Sequence, residues 1–335
     1  MQQLPNLHKS TIDLLKKGKN LLAFSGGVDS SALFFILKEN DIDFNLAIVN
    51  YGMREQSLKE VNYADGLCLK YKKEFFLHTC SLENSNFEYN ARVERYTFFE
   101  EIIKKESYTN LITAHQLNDK LEWFLMQLGR GSGLVEMLGM SEVQDRDQYK
   151  IVRPLLHVSR KNIQNFLDTN HILHFIDKSN HSDKYKRNRI RHKYANSFID
   201  EFENGLIKSF DYLENDVNLL LPKNEINIKK LFILKRETLD LRNIRQIDKV
   251  VKKMGVLMSK TQREEIIKTK DCVISDKIAI VFTQNSIFIS PFVKSDMPKK
   301  FKELCRVNKI PAKIRPYLYI EDINPTFFSE LSHKP

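Results

Sequence analysis

The feature that most restricts this chain is an alternation, over its first 130 residues, of short apolar runs with stretches of helical spacing. Residues 20–24, 44–50, 74–80 and 110–114 read as strands, and 31–39, 56–72, 88–105 and 118–128 as helices. Strands separated by helices cannot be joined by hairpins. They run parallel, and each helix crosses back over the sheet. The expected fold is α/β, a doubly wound, mostly parallel sheet. Ligands of such sheets lie beyond the carboxyl ends of the strands, where the motifs at Ser25, Asn50 and His115 fall. A last piece of this domain is expected at 152–156.

From about residue 196 the pattern changes. Helices are expected at 198–221, 244–254 and 260–269, and short strands at 272–275, 277–282 and 286–290. A basic amphipathic tail starts at 298 and is ended by Pro311 and Pro316. The expected division is a catalytic domain over 1–195, a helical middle region with short strands over 196–290, and a small α+β basic module over 291–335. No repeat or low-complexity run is seen.

Charge is unevenly spread. The 335 residues carry a net charge of +10. Residues 184–193 hold six Lys/Arg and no acid, and 294–316 hold eight against Asp296 and Glu303, so each window is +6 and the remainder is near −2. Two basic windows on a near-neutral body point to a polyanionic partner; solvated helical faces are the plainer alternative. The longest apolar runs, such as 32–37, are too short to span a bilayer, so no membrane partner is expected, and the amino terminus lacks a secretory pattern. The four cysteines form no C-x-x-C pair, which excludes a paired-cysteine zinc or iron–sulfur site and fits a reduced cytoplasm. His78, His157, His171, His174 and His181 show no metal-ligand spacing and read as structural. Trp123 reads as core rather than as a base-stacking platform.

The sharpest motif is Ser25-Gly26-Gly27-Val28-Asp29-Ser30, between a strand and a helix. Two glycines let the backbone curl closely around an anion, with loop N–H groups and the helix dipole pointing at it. There is no Gly-Lys-Ser/Thr, so this is not a Walker A loop. Phosphate charge must then be met by a basic residue from elsewhere. Asp29 can face phosphate only across a divalent cation such as Mg²⁺. Asp119 and Glu122, three apart on a predicted helix, share a face. Two carboxylates there suit an ammonium ligand or a metal; an acidic surface paired with Lys120 or Arg130 is the structural alternative. Arg92 and Arg95 are likewise three apart and suit either bidentate phosphate contact or pairing with Glu88 and Glu94. His115 either contacts a nucleotide or caps its strand.

The hexapeptide resembles the signature loop of the pyrophosphatase-loop, ATP-dependent adenylating ligases, whose fold is of the adenine nucleotide alpha-hydrolase type. Further motifs resemble the branch of that family that modifies tRNA with lysine: Asn50-Tyr51-Gly52-Met53-Arg54, Ala91-Arg92-Val93-Glu94-Arg95-Tyr96, Thr113-Ala114-His115, Asp119-x-x-Glu122, Arg130-Gly131-Ser132-Gly133, Arg153-Pro154-Leu155-Leu156, Asp177-Lys178-Ser179-Asn180 and Arg187-Asn188-Arg189-Ile190-Arg191. The tail, with Lys299, Lys300, Lys302 and Lys309, resembles that branch's C-terminal module. The likeness is dense over 20–193, thin over 200–290 and moderate at the end. The fourth motif departs from the usual His-His and Asp-Asp-Gln, reading His115-Gln116-Leu117-Asn118-Asp119-Lys120, and Asn50-Tyr51 replaces Asp-His. Asp119 and Glu122 remain as the acidic pair.

The resemblance implies ATP as substrate with Mg²⁺, held by Ser25, Gly26, Gly27, Val28, Asp29, Ser30, Asn50, Arg92 and His115, with Asp29 as a metal ligand. It implies free L-lysine held by Asp119 and Glu122, and tRNA(Ile) with a CAU anticodon, whose phosphates meet Lys184, Lys186, Arg187, Arg189, Arg191, Lys299 and Lys300. ATP would adenylate the C2 oxygen of the first anticodon cytidine, and the lysine ε-amine would displace AMP, changing the codon read from AUG to AUA. Three other readings stay open: a small-molecule amide ligase, a tRNA-thiolating enzyme, for which the cysteines supply no evident pair, and a non-catalytic ATP-holding RNA-binding protein. A homodimer is also left open.

Overall fold

The computed structural model describes residues 4–52, 55–81, 87–146, 148–176, 186–221 and 225–328. The chain forms two compact units, 1–214 and 215–335.

The first unit begins α1 (Lys9–Lys17), β1 (Asn20–Ala23), α2 (Val28–Glu39), β2 (Asn45–Asn50), α3 (Glu55–Tyr71), β3 (Phe75–Thr79), α4 (Phe87–Glu106), β4 (Asn110–Ile112) and α5 (Leu117–Leu128). It continues α6 (Leu134–Met137), β5 (Val143–Asp145), β6 (Lys150–Val152), α7 (Arg160–Thr169), α8 (Lys186–Ile190), a π-helical turn (Arg191–Ala195) and α9 (Asn196–Leu220). The sheet order is β3-β2-β1-β4-β6-β5, parallel except for edge strand β5. The alternation of side chains explains both faces. Leu22, Leu46, Ile48, Ile112 and Val152 pack under Leu15, Phe34, Ile36, Ala64, Leu67, Ile163 and Leu167, from α1, α2, α3 and α7. Leu21, Ala47, Leu111 and Ile151 face Phe99, Ile102 and Ile103 of α4. The apolar run 32–37 lies in α2, which is buried on nearly every side. Both sheet faces are therefore covered, as expected for a doubly wound fold. After β1 the chain steps to β2 on one side and later to β4 on the other. The gap between the ends of β1 and β4 is thus the topological switch point.

The second unit holds β7 (Glu225–Ile228), β8 (Leu231–Lys235), α10 (Asp240–Lys253), α11 (Lys260–Thr269), β9 (Asp271–Ile274), β10 (Ile278–Phe282), β11 (Ser286–Pro291), α12 (Lys299–Val307) and α13 (Arg315–Ile320). Its antiparallel sheet, β7-β8-β11-β10-β9, packs Ile247, Val250, Val251 and Ile266 against one face and Cys305, Ile310, Ile314 and Leu318 against the other. The expected boundaries at 195 and 290 differ from this division. The basic tail is the third layer of a unit whose sheet includes β7 and β8, which sequence reading missed. Its apolar stripe is covered by the β8, β10 and β11 side chains Ile233, Ala279 and Phe288.

Candidate active site

The Ser25–Ser30 loop lies at the switch point. Gly26 sits at φ +72°, and a Cβ there would stand 3.3 Å from Glu60 and from the Phe175 ring. Its carbonyl accepts from the Phe175 amide and from the Ser31 hydroxyl. A left-handed backbone in so close a fit calls for glycine. Ser30 Oγ donates to the Gly27 carbonyl, lies 3.1 Å from Ser25 Oγ and accepts from the Ser25 amide, bracing the bend. Gly27 caps α2 without a side chain, so the first amides of that helix face outward from its positive end. Asp29 sits in this first turn.

Asp119 and Glu122 follow β4 on α5, 8% and 0% exposed. Burial among like charges demands partners, and two arginines supply them. Arg187 donates from its Nε to Glu122 Oε2 at 2.7 Å and from a terminal nitrogen to Asp119 Oδ1 at 2.6 Å. Arg191 donates from its Nε to Glu122 Oε1 at 2.5 Å, and its terminal nitrogen reaches Glu122 Oε2 at 3.2 Å and Asp119 Oδ1 at 3.4 Å. Asp119 Oδ2 accepts from the Gln116 amide. Sequence reading assigned Arg187 and Arg191 to tRNA phosphates; in the structure both also meet these buried acids. Two buried carboxylates hold both guanidiniums, although the Arg187 side chain remains 45% exposed. The quartet of two carboxylates and two guanidiniums is formally neutral. Neither Lys120 nor Arg130 pairs with it. The Lys120 ammonium is 2.6 Å from Glu214 Oε1 and lies over the Phe210 ring.

The field of the quartet extends to its neighbours. Burial would raise the Asp119 carboxyl, but Arg187, His115, the Gln116 amide and Arg191 outweigh it and hold it below the usual range. Asp29 is pushed up to about 7, first by burial and then by Asp119, with Arg160 and Arg191 opposing. Its Oδ1 is buried with no hydrogen-bond partner among the described residues. The His115 ring is lowered to about 4, mainly by burial; Asp119 opposes this, and Arg153, Arg187 and Arg92 add to it. His115 is thus neutral at pH 7, with Nδ1 2.9 Å from Thr113 Oγ1. Loop, acids and histidine share one electrostatic site.

The other expected residues are placed as follows. Asn50 ends β2, and its Oδ1 accepts from the Gly52 amide, so it shapes its own turn. Arg92 is exposed, lies over the Tyr96 ring at 4.7 Å and is close enough to act on His115. Lys186 and Arg189 are exposed on α8, as are Lys299 and Lys300 at the start of α12 in the second unit. Lys184, Met53, Arg54 and the Asp177–Asn180 motif lie outside the described residues. Two departures from the family pattern have structural uses. Gln116 caps α5 through the Asn118 amide, and Asn118 joins Asn196 and the Arg160 amide. Sequence reading missed Arg160, which stands at the start of α7 and acts on Asp29; no spacing marks it. Trp123 donates to the Glu136 carbonyl and is half-buried.

A glycine bend after β1, at the switch point of a parallel sheet, with a buried acid in the following helical turn, defines a nucleotide-binding PP-loop protein, and residues 2–198 match the PP-loop domain family. The chain is 45% identical to the tRNA(Ile)-lysidine synthase of Campylobacter jejuni over 314 residues, 93% of this chain and 95% of that one. It is 40% identical to that of Wolinella succinogenes (92% and 95%) and 38% identical to that of Helicobacter pylori (93% and 93%). The chain belongs to the tRNA(Ile)-lysidine synthase family.

Proposed function

We propose that this chain uses ATP to join free lysine to C2 of the cytidine at the first anticodon position of tRNA(Ile) carrying CAU, giving lysidine. What carries the reading is likeness to these synthases over nearly the whole chain, together with a phosphate-cradling loop that opens beside buried acids at one switch point. The C2 oxygen is a poor leaving group until adenylated. The outward amides of α2 and the hydroxyls of Ser25 and Ser30 receive the triphosphate tail, and exposed Arg92 supplies the cation that the loop lacks. Asp29 suits Mg²⁺: it is a hard oxygen donor, its Oδ1 is orphaned, and it lies at the mouth of an anion cradle. When bound there, the ion would neutralise phosphate charge.

The lysine amine must lose a proton to attack. With a free pKa of about 10.4, this costs roughly 4–5 kcal/mol near pH 7. Asp119 is held ionised by Arg187 and can accept that proton as attack proceeds. An ammonium reaches it only if Arg187, the more exposed of the two arginines, yields its place. The base must be unstacked to enter, which suits an anticodon loop. Residues 1–195 perform the chemistry, and the basic tail within 291–335, through Lys299 and Lys300, makes phosphate contacts with the tRNA, assisted by Lys186 and Arg189. The setting is the cytoplasm; among the described residues no helix is long and apolar enough to cross a membrane.

Incubation with ATP, labelled lysine and an unmodified tRNA pool tests the reading. Label is expected in one isoleucine tRNA, with AMP and pyrophosphate release requiring that RNA. AMP release without RNA would refute it in favour of small-molecule ligation.

A further inference from the structure

We propose that His8, Glu142 and His157 form a binding site for one divalent transition-metal ion of the Zn²⁺ class, with Asp211 as the carboxylate that orients His157. The site lies in the first unit, apart from the Asp119–Glu122 quartet. Its ligands come from three places far apart in sequence: the N-cap of α1, the segment before β5 and the loop after β6. That separation is why sequence spacing assigns His157 no metal role.

The geometry is that of a site already assembled. One atom from each residue lies within 4.8 Å of the other two. Around a tetrahedral ion with bonds of about 2.0–2.1 Å, ligand atoms stand roughly 3.3 Å apart. Glu142 Oε2 is 2.8 Å from His8 Nδ1 and 3.6 Å from His157 Nε2. The remaining adjustment falls to His8, whose side chain is 45% exposed and would exchange its hydrogen bond to Glu142 for the ion. Glu142 itself is held. Its Oε1 accepts from the buried Thr11 hydroxyl, and its carbonyl accepts from the Arg153 amide. The two imidazole rings lie with centroids 4.2 Å apart against this single carboxylate oxygen.

His157 points to the ion most directly. Its side chain is only 9% exposed, its Nε2 faces Glu142, and its Nδ1 has no hydrogen-bond partner among the described residues. The nearest acid to that nitrogen is Asp211 on α9, with Oδ1 at 3.8 Å. An ion on Nε2 fixes the tautomer, so Nδ1–H points at Asp211. This is the carboxylate–histidine–metal relay by which proteins orient ligating imidazoles. Two imidazoles and one carboxylate select Zn²⁺, Co²⁺ or Ni²⁺ over Mg²⁺ or Ca²⁺. Three protein ligands leave the fourth position to water. The ion would tie α1 to the β5–β6 edge.

The test uses tag-free, EDTA-stripped full-length protein titrated with Co²⁺, read by its visible d–d absorption, and then with Zn²⁺. One equivalent of Co²⁺ with a tetrahedral spectrum, displaced by Zn²⁺, is expected. His8→Ala removes a half-exposed ligand that makes no capping bond, so it should fold, as checked by circular dichroism; it should weaken binding at least ~10-fold, as should Asp211→Asn. At 100 times Kd, Zn²⁺ should raise the thermal midpoint of the wild type by roughly 5–10 °C and that of His8→Ala by much less. His78, Cys80 and Glu94 form a second cluster, so Cys80→Ser is the control and should bind as the wild type does. No tetrahedral Co²⁺ spectrum in the wild type, undiminished affinity in His8→Ala, or loss of the signal in Cys80→Ser would each overturn the assignment.

Discussion

Glu122→Gln tests the neutral quartet most directly. It keeps the volume of a fully buried side chain and removes its charge. Glu122 accepts three guanidinium hydrogen bonds, so the change strands its partners. The partners are unequal. The Arg187 side chain is 45% exposed and can turn to water, which limits its share to the ~0.2–1 kcal/mol of an exposed pair. The Arg191 side chain is 11% exposed and would keep one charged partner, Asp119 at 3.4 Å, beside the neutral carboxamide oxygen of Gln. Removing one partner of a buried pair costs about 3–5 kcal/mol. We therefore expect Glu122→Gln to destabilise the first unit by about 3 kcal/mol. Arg191→Met should cost about 2 kcal/mol, because Arg187 still engages Glu122. The double variant should cost less than the sum by at least about 1.5 kcal/mol, since removing both partners leaves no stranded charge. Urea unfolding followed by fluorescence measures this well, because the protein's single tryptophan, Trp123, is the next residue on α5. Additivity within about 0.5 kcal/mol would refute the quartet.

Three further outcomes are expected. The folded pKa of Asp29, about 7, lies above its unfolded value, so its contribution to stability is full below pH 4 and is lost as pH rises through 7; Asp29→Asn should raise the stability of the nucleotide-free protein by about 4 kcal/mol at pH 8 and little at pH 4, by thermal melts, and equal gains at both would remove the assignment. Gly26→Ala meets φ +72° and contacts of 3.3 Å with Glu60 and Phe175, so it should cost about 1–2 kcal/mol and abolish ATP binding by calorimetry; wild-type affinity would mean that the bend is not the cradle. Changing Lys299 and Lys300 together to Ala should lower the slope of log K for tRNA against log salt by roughly 1.5 and leave ATP binding unchanged; an unaltered slope would take α12 out of the RNA interface.

Much of the architecture is legible locally. Period-two and helical spacing over 20–128 place four strands and their helices within two residues, except that α2 starts at Val28 rather than 31, because these segments bury their own apolar faces. The short edge strand β5 is not legible, since its three residues are largely exposed and defined only by pairing with β6. Nor is the sheet of the second unit as a whole: β7 and β8 become strands only once β11 lies beside β8. At the site, the hexapeptide and the spacing of Asp119 and Glu122 are visible in the sequence, but the partners of those acids are not.

The sequence by itself determined the alternation of strands and helices, the glycine bend after the first strand and the acids that follow the fourth, because each is written in spacings of a few residues. Only tertiary structure decided which cations meet which carboxylates. Arg187 and Arg191 look like surface charge in a basic run, yet they neutralise acids more than 60 residues away. A buried carboxylate takes whatever guanidinium the fold brings within reach, and a one-dimensional charge pattern does not carry that distance.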